Sequence, residues 1–173
     1  MAMKAVHPVR LNTSTEKANP AGPASFREKQ RRMRTMGCDI HIVLERRRNG
    51  QTKWIGEYCT DNYNAVGRNV KASRRDYGFF GRLAHVRHHP EDGPRHYPKN
   101  LPRDVSDLAW DQYMRCPTDY HTPSHLSVPD FCEAYLAENP NDQSVRAEHA
   151  AYDLLGVDSD EDCDYRVVFW FDN

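Results

Sequence analysis

At 173 residues, with a net charge of −1 and an apolar share of 38 %, the chain suits one ordinary domain with part of its length outside any packed core, because globular chains are usually ~45–50 % apolar. No apolar run approaches the roughly 18–20 residues of a membrane span, and no apolar stretch at the N-terminus marks a secretory signal. Five cysteines, an odd number with no C-x-x-C pair, argue against a disulfide framework or zinc knuckle and for a reducing cytoplasm.

Residues 1–35 hold eight Lys and Arg against two acidic residues, with Pro8, Pro20 and Pro23 and almost no apolar periodicity. They read as a disordered basic extension, a solvated tail more than a nucleic-acid arm. A single folded domain is expected over 36–173. Its first element is a strand from Cys38 to Arg47. Alternation puts Cys38, Ile40, Ile42 and Leu44 on one face and Asp39, His41, Val43 and Glu45 on the other. Asn49-Gly50 favours the positive φ of a hairpin turn, so Gln51 to Cys59 is the second strand.

Residues 60–75 are polar and read as a loop. Asp76 caps a predicted helix to about Arg87, with Phe79, Phe80, Leu83 and Val86 as its apolar stripe and His85 on that same side. Residues 88–103 form an irregular loop. A second helix is predicted from Asp104 to Met114, then a polar loop over 116–126. Ser127-Val-Pro-Asp130 resembles a capping arrangement for a helix to Glu138. Asp142 to Leu155 reads as a further amphipathic helix ended by Gly156. An acidic loop follows, and Tyr165 to Phe171 is the last strand. Tyr165, Val167, Phe169 and Phe171 line one face of it, and Arg166, Val168, Trp170 and Asp172 the other. The expected fold is α+β: a small, mainly antiparallel sheet from the N-terminal hairpin and the C-terminal strand, packed against three or four helices.

Two polar groupings carry candidate chemistry. Asp39 and His41 share a strand face, Asp172 ends the last strand, and His121 and His125 lie in the loop before a helix. Two carboxylates and two imidazoles are a ligand set for Zn²⁺ or Mn²⁺, which would activate water for hydrolysis. The bland alternative is that Asp39 and His41 tie down loops. The second grouping is cationic: Arg68, Lys71, Arg74, Arg75, Arg87 and His88, with Tyr63 and Tyr77 among them. Arg forks bind phosphate bidentately and Tyr stacks on bases. A solvated basic surface is the competing reading. Cys38 and Cys163 lack a neighbouring base, and Ser124 lacks a nucleophile elbow; loop bonding and capping account for Ser124 and Ser127.

The chain also resembles a family of small bacteriophage and prophage proteins. The resemblance rests on Met36-Gly37-Cys38-Asp39-Ile40-His41, Arg75-Asp76-Tyr77 with Leu83 to Arg87, Leu101-Pro102-Arg103-Asp104-Val105-Ser106, Asp119 to Ser127, and the closing Val168-Phe169-Trp170-Phe171-Asp172-Asn173. It covers 36–173 and leaves out the first 35 residues. Relatives carry an aromatic before Leu-Thr where this chain has His125 before Leu126-Ser127, which favours His121 over His125 as a ligand. The resemblance implies an accessory role in the cytoplasm of an infected host cell, and it carries no activity across.

The leading expectation is binding of a small phosphorylated or nucleotide-type ligand, with a host defence signal as one such ligand. Arg74, Arg75, Tyr77 and Arg87 would grip its anionic groups; Asp39, His41, His121 and Asp172 would line the pocket. The alternatives are a metal-dependent phosphoesterase with Asp39, His41, His121 and Asp172 as metal ligands, and a non-catalytic module that inhibits a host protein through the acidic C-terminal region.

Overall fold

In a computed structural model of the chain, residues 37–60, 72, 75–87, 96–158 and 160–172 are described. The expected extension over 1–35, and Arg68, Lys71, Arg74 and His88, lie outside them. Among the described residues there are four strands: β1 (Ile40–Arg48), β2 (Ile55–Cys59), β3 (His121–Ser127) and β4 (Cys163–Phe171). The α-helices among the described residues are α1 (Tyr77–Ala84), α2 (Asp107–Tyr113), α3 (Val128–Glu138) and α4 (Ala150–Leu155). The strands form one antiparallel sheet in the order β2-β1-β4-β3, which is the α+β arrangement the sequence predicts.

The two longest strands, β1 and β4, take the two central positions. They pair without interruption from Ile40 opposite Phe171 to Arg48 opposite Cys163. Side chains directly opposite share a face. Ile40, Ile42 and Leu44 therefore join Val167, Phe169 and Phe171 in the main core, under α1, α3 and α4. Val43, Val168 and Trp170 form a smaller core on the other face with Cys59 and Ala109 of α2. Burying both faces is what lets β1 and β4 be apolar on both. The β1–β2 hairpin turns at Asn49-Gly50, where Gly50 takes φ 80° and the Gln51 N–H donates to the Arg48 carbonyl at 3.0 Å.

Short polar side chains start three of the helices. Asp76 accepts from the Phe79 N–H at 3.0 Å, Ser106 from the Ala109 N–H at 3.3 Å, and Ser127 from the Asp130 N–H at 3.2 Å. Each satisfies a backbone donor that the first helical turn leaves open.

Several boundaries differ from expectation. The second strand begins at Ile55, not Gln51. The first helix stops at Ala84, because His85 turns left-handed at φ 60° and returns its N–H to the Gly81 carbonyl at 2.9 Å. His85 is thus a half-buried helix cap beside Tyr97, their ring centroids 5.1 Å apart, and not a core residue. The second helix starts at Asp107, since Ser106 is its cap. Asp104 instead accepts from the guanidinium of Arg166 at 2.8 Å and the indole of Trp54 at 3.1 Å. The loop over 116–126 contains most of β3, a polar edge strand with Pro123 and a register shift between His121 and Ser124. Pro is tolerated there because an edge leaves N–H groups unpaired. The helix expected over 142–155 shrinks to α4 and a 3₁₀ turn at Ala147–His149. Asp142 turns the chain instead, accepting from the Ser144 N–H at 3.0 Å.

One buried polar connection had no sequence signal. Glu45 is fully buried. It accepts from the Ser106 N–H at 2.6 Å and from Nε of Arg166 at 2.5 Å. Arg166 also lies 4.1 Å over the Trp54 ring. Glu45 and Arg166 face each other across β1 and β4, so the pair anchors the start of α2 to the sheet centre.

Candidate functional site

The antiparallel pairing of β1 and β4 brings the residues before one strand to the residue after the other. Asp39 and Asp172 meet there. The Asp39 N–H donates to Oδ1 of Asp172 at 2.9 Å, and the Asp172 N–H donates to the Asp39 carbonyl at 3.2 Å. Alternation puts His41 on the same face as Asp39, and its Nε2 lies 3.2 Å from Oδ2 of Asp172. The imidazole is nearly parallel to Trp170, its partner across β4, at 5.9 Å, and 4.8 Å from the ring of Tyr120. The Asp172 carboxylate, with its other oxygen fixed by a backbone N–H, thus stands within ion-pair distance of an imidazole packed against two aromatic rings; the contact is an ion pair only when His41 is protonated.

The segment leading into α1 closes on the same corner. Arg75 forks onto Asp39, Nε to Oδ1 at 2.8 Å and Nη2 to Oδ2 at 2.7 Å. These bonds hold the Arg75 guanidinium above its ordinary pKa, so it stays cationic. Gly37 makes room for it: a Cβ there would stand 2.7 Å from the guanidinium nitrogen. The Tyr77 hydroxyl accepts from the Cys38 N–H at 3.4 Å. Arg87, held left-handed at φ 56°, lays its guanidinium over the Tyr77 ring at 5.1 Å, a cation–π contact. Burial pushes the Cys38 thiol up in pKa, while its hydrogen bond from Arg87 acts the other way.

Arg75 and Tyr77 form one wall of an open groove of 740 Å³, within the ~300–1,000 Å³ of small-molecule sites. The groove is further lined by Tyr135 and by residues 138–142, the end of α3 and the turn after it. The groove is more acidic than the cationic grouping in the sequence suggests. Asp76 accepts from the Asn139 amide at 2.9 Å, Asp142 accepts from the Tyr135 hydroxyl at 2.8 Å, and Glu138 pairs with Arg82. Among the described residues the Asn141 amide has no partner.

The sequence-predicted residues therefore divide. Asp39, His41, Asp172, Arg75, Tyr77 and Arg87 come together, but only Arg75 and Tyr77 line the groove. The others lie outside its lining: His41 stands 3.2 Å from Asp172, Asp172 holds the Asp39 backbone, Asp39 holds Arg75, and Arg87 backs Tyr77. His121 does not join. It sits opposite Phe171 across β3 and β4 and stacks on that ring at 6.0 Å, which alternation puts on the other face from Trp170 and His41. Its Nδ1 lies 2.8 Å from the Thr122 hydroxyl. Among the described residues no three or more His, Cys, Asp or Glu are arranged to hold a metal ion. Arg74 lies outside the described residues.

Tyr135, Asn141 and Asp142 are groove residues that sequence reasoning missed. The sequence places Asp142 at the start of a helix, and Asn139-Pro140-Asn141 reads from sequence as an ordinary break between helices. The turn signal was there; its position opposite Arg75 was not legible. Among the described residues no helix is long and apolar enough to cross a membrane. Comparison of the chain with protein-family models, curated proteins and solved structures finds no match.

Proposed function

We propose that the protein binds a small phosphorylated or nucleotide-type ligand in the groove that opens at Arg75 and Tyr77. One observation carries the reading: a guanidinium whose Nε and Nη2 are taken up by Asp39, leaving Nη1, and an exposed ring braced by Arg87 line the same ligand-sized groove. A braced guanidinium loses little side-chain freedom on binding an anion, which favours affinity. In keeping with the phage resemblance, the protein serves as an accessory factor in the host cytoplasm, where it sequesters a nucleotide-type defence signal. A thermal-shift screen of the full chain against nucleotides and sugar phosphates tests the binding. Stabilisation is expected, because a ligand that binds only the folded state raises its stability. No shift with any compound at millimolar concentration would overturn it.

The metal-dependent phosphoesterase that the sequence also offers is tested by assaying phosphoester hydrolysis with added Mn²⁺ or Zn²⁺; Nε2 of His41 is buried, and among the described residues no three or more His, Cys, Asp or Glu are arranged to hold a metal ion.

A further inference from the structure

The groove's charge is unbalanced. Its described lining holds one guanidinium, Arg75, against the carboxylates of Asp76, Glu138 and Asp142. Arg75 donates Nε and Nη2 to Asp39, and Glu138 pairs with Arg82. Each of those pairs is neutral. Within the lining that leaves Asp76 and Asp142 with no further cation to offset them. Asp76 accepts from the Asn139 amide and Asp142 from the Tyr135 hydroxyl. A neutral donor orients a carboxylate and leaves its charge in place, so the field in the groove attracts cations.

The chain carries such cations directly before the fold. It enters the described residues at Gly37, which lies so close to the Arg75 guanidinium that a Cβ there would stand 2.7 Å from it. Just upstream the sequence reads Arg27-Glu28-Lys29-Gln30-Arg31-Arg32-Met33-Arg34, five cations against one acid. A chain spans at most about 3.5 Å per residue, so Arg31, Arg32 and Arg34 stay within roughly 10–21 Å of Gly37, and Lys29 within about 28 Å. A tether of that length gives the segment a local concentration on the order of millimolar beside Arg75.

The other acidic stretch, from Asp158 to Asp164, is a poorer match. It adjoins the far end of β1, where Arg48 pairs with Cys163, roughly 26 Å along the strand from Ile40. Cations are already in place there: Arg47 bonds to Asp164, and the charges of Arg46 and Arg48 act on Asp160.

We infer that the basic segment from Arg27 to Arg34 docks in the acidic groove of its own chain, with its cationic side chains facing Asp76, Glu138 and Asp142. In that position it governs access to the groove. The inference stands apart from the ligand proposed above, since it concerns what meets the carboxylates whether or not a phosphate compound binds.

Zero-length carbodiimide cross-linking of the full chain, read by mass spectrometry, tests it. Lys29 is the one lysine of the segment, so its amide bond to a carboxylate reports where the segment lies. Links from Lys29 to Asp76, Glu138 or Asp142 within monomers are expected. Their yield should fall at least about fivefold in about 1 M salt, where the screening length is about 3 Å, and by a similar factor in the Arg31→Glu/Arg32→Glu double variant. Both substituted positions lie outside the described residues, and the circular dichroism spectrum of the variant should match the wild type. Lys29 links to Asp160, Glu161 or Asp162 in place of the groove would overturn the inference. So would links only between chains, an unaltered yield in the double variant, or no Lys29 link at all. None of these results alters the outcome of the thermal-shift screen, so either proposal can fail alone.

Discussion

The guanidinium of Arg75 is locked onto the carboxylate of Asp39 by two bonds, at 2.8 and 2.7 Å. Through them the entry to α1 is tied to the start of the central strand. Both side chains are about half exposed, 50 % and 53 %, so the pair orients more than it stabilises. Exposed ion pairs contribute roughly 0–1 kcal/mol. Arg75→Ala and Asp39→Ala should each change the unfolding free energy by no more than about 1 kcal/mol, measured by urea titration. A much larger loss would mean that this corner holds the fold together and is not free to serve a ligand.

Glu45 and Arg166 are the opposite case. Glu45 is fully buried and Arg166 nearly so. Removing one partner of a buried pair leaves an uncompensated charge and costs about 3–5 kcal/mol. Glu45→Ala also strips the Ser106 N–H of its acceptor. The urea midpoint of this variant should fall by the equivalent of at least about 3 kcal/mol. A loss below about 1 kcal/mol would contradict the anchoring role assigned to the pair.

Acid should unfold the protein partly through Asp104. The guanidinium of Arg166 holds this carboxyl below its ordinary pKa of 3.8. A group whose folded pKa is depressed contributes stability that is complete above its unfolded value and is lost as pH falls through the folded one. Stability should therefore decline as pH drops below about 4, and Asp104→Asn should flatten that decline. Urea midpoints taken between about pH 5 and 2.5 would show it; identical slopes in wild type and variant would refute it.

The cysteines should separate by accessibility. Burial pushes Cys132 up to about 12 and raises Cys38, and Cys59 is also buried, whereas Cys116 is exposed. Thiolate is the reactive form. A thiol reagent at neutral pH should label Cys116 in the native protein and reach Cys38, Cys59 and Cys132 only on unfolding. Mass spectrometry after a brief pulse reads this directly; early modification of Cys132 would contradict the packing around α3.

Much of the fold was legible because strand periodicity is local. The two-residue alternation of Ile40 to Leu44 and of Val167 to Phe171 assigned every one of those side chains to its observed face. Asp76 and Ser127 announced their helices in the same local way. β3 was not legible, since His121 to Ser127 is polar and contains Pro123, and what makes it a strand is the free edge of β4. The helix expected from Asp142 failed because that side chain bonds Tyr135 and Ser144 in preference to capping a helix. In the site, strand alternation grouped Asp39 with His41, and the pairing of first and last strands added Asp172. His121 was misplaced because its face depends on a register shift in β3, which composition does not encode. The acidity of the groove comes from Asp76 at the cap of α1 together with Glu138 and Asp142 at and after the end of α3, brought together by packing of α3 on α1.

A titration of isotopically labelled protein with a nucleoside monophosphate, followed by amide and side-chain NMR shifts, tests most directly whether the groove between α1 and the end of α3 is a ligand site. Saturable shifts concentrated at Arg75, Tyr77 and residues 138–142, with smaller ones relayed to Asp39 and Asp172, are the predicted result. Shifts confined to other surfaces, or none at millimolar ligand, would contradict it.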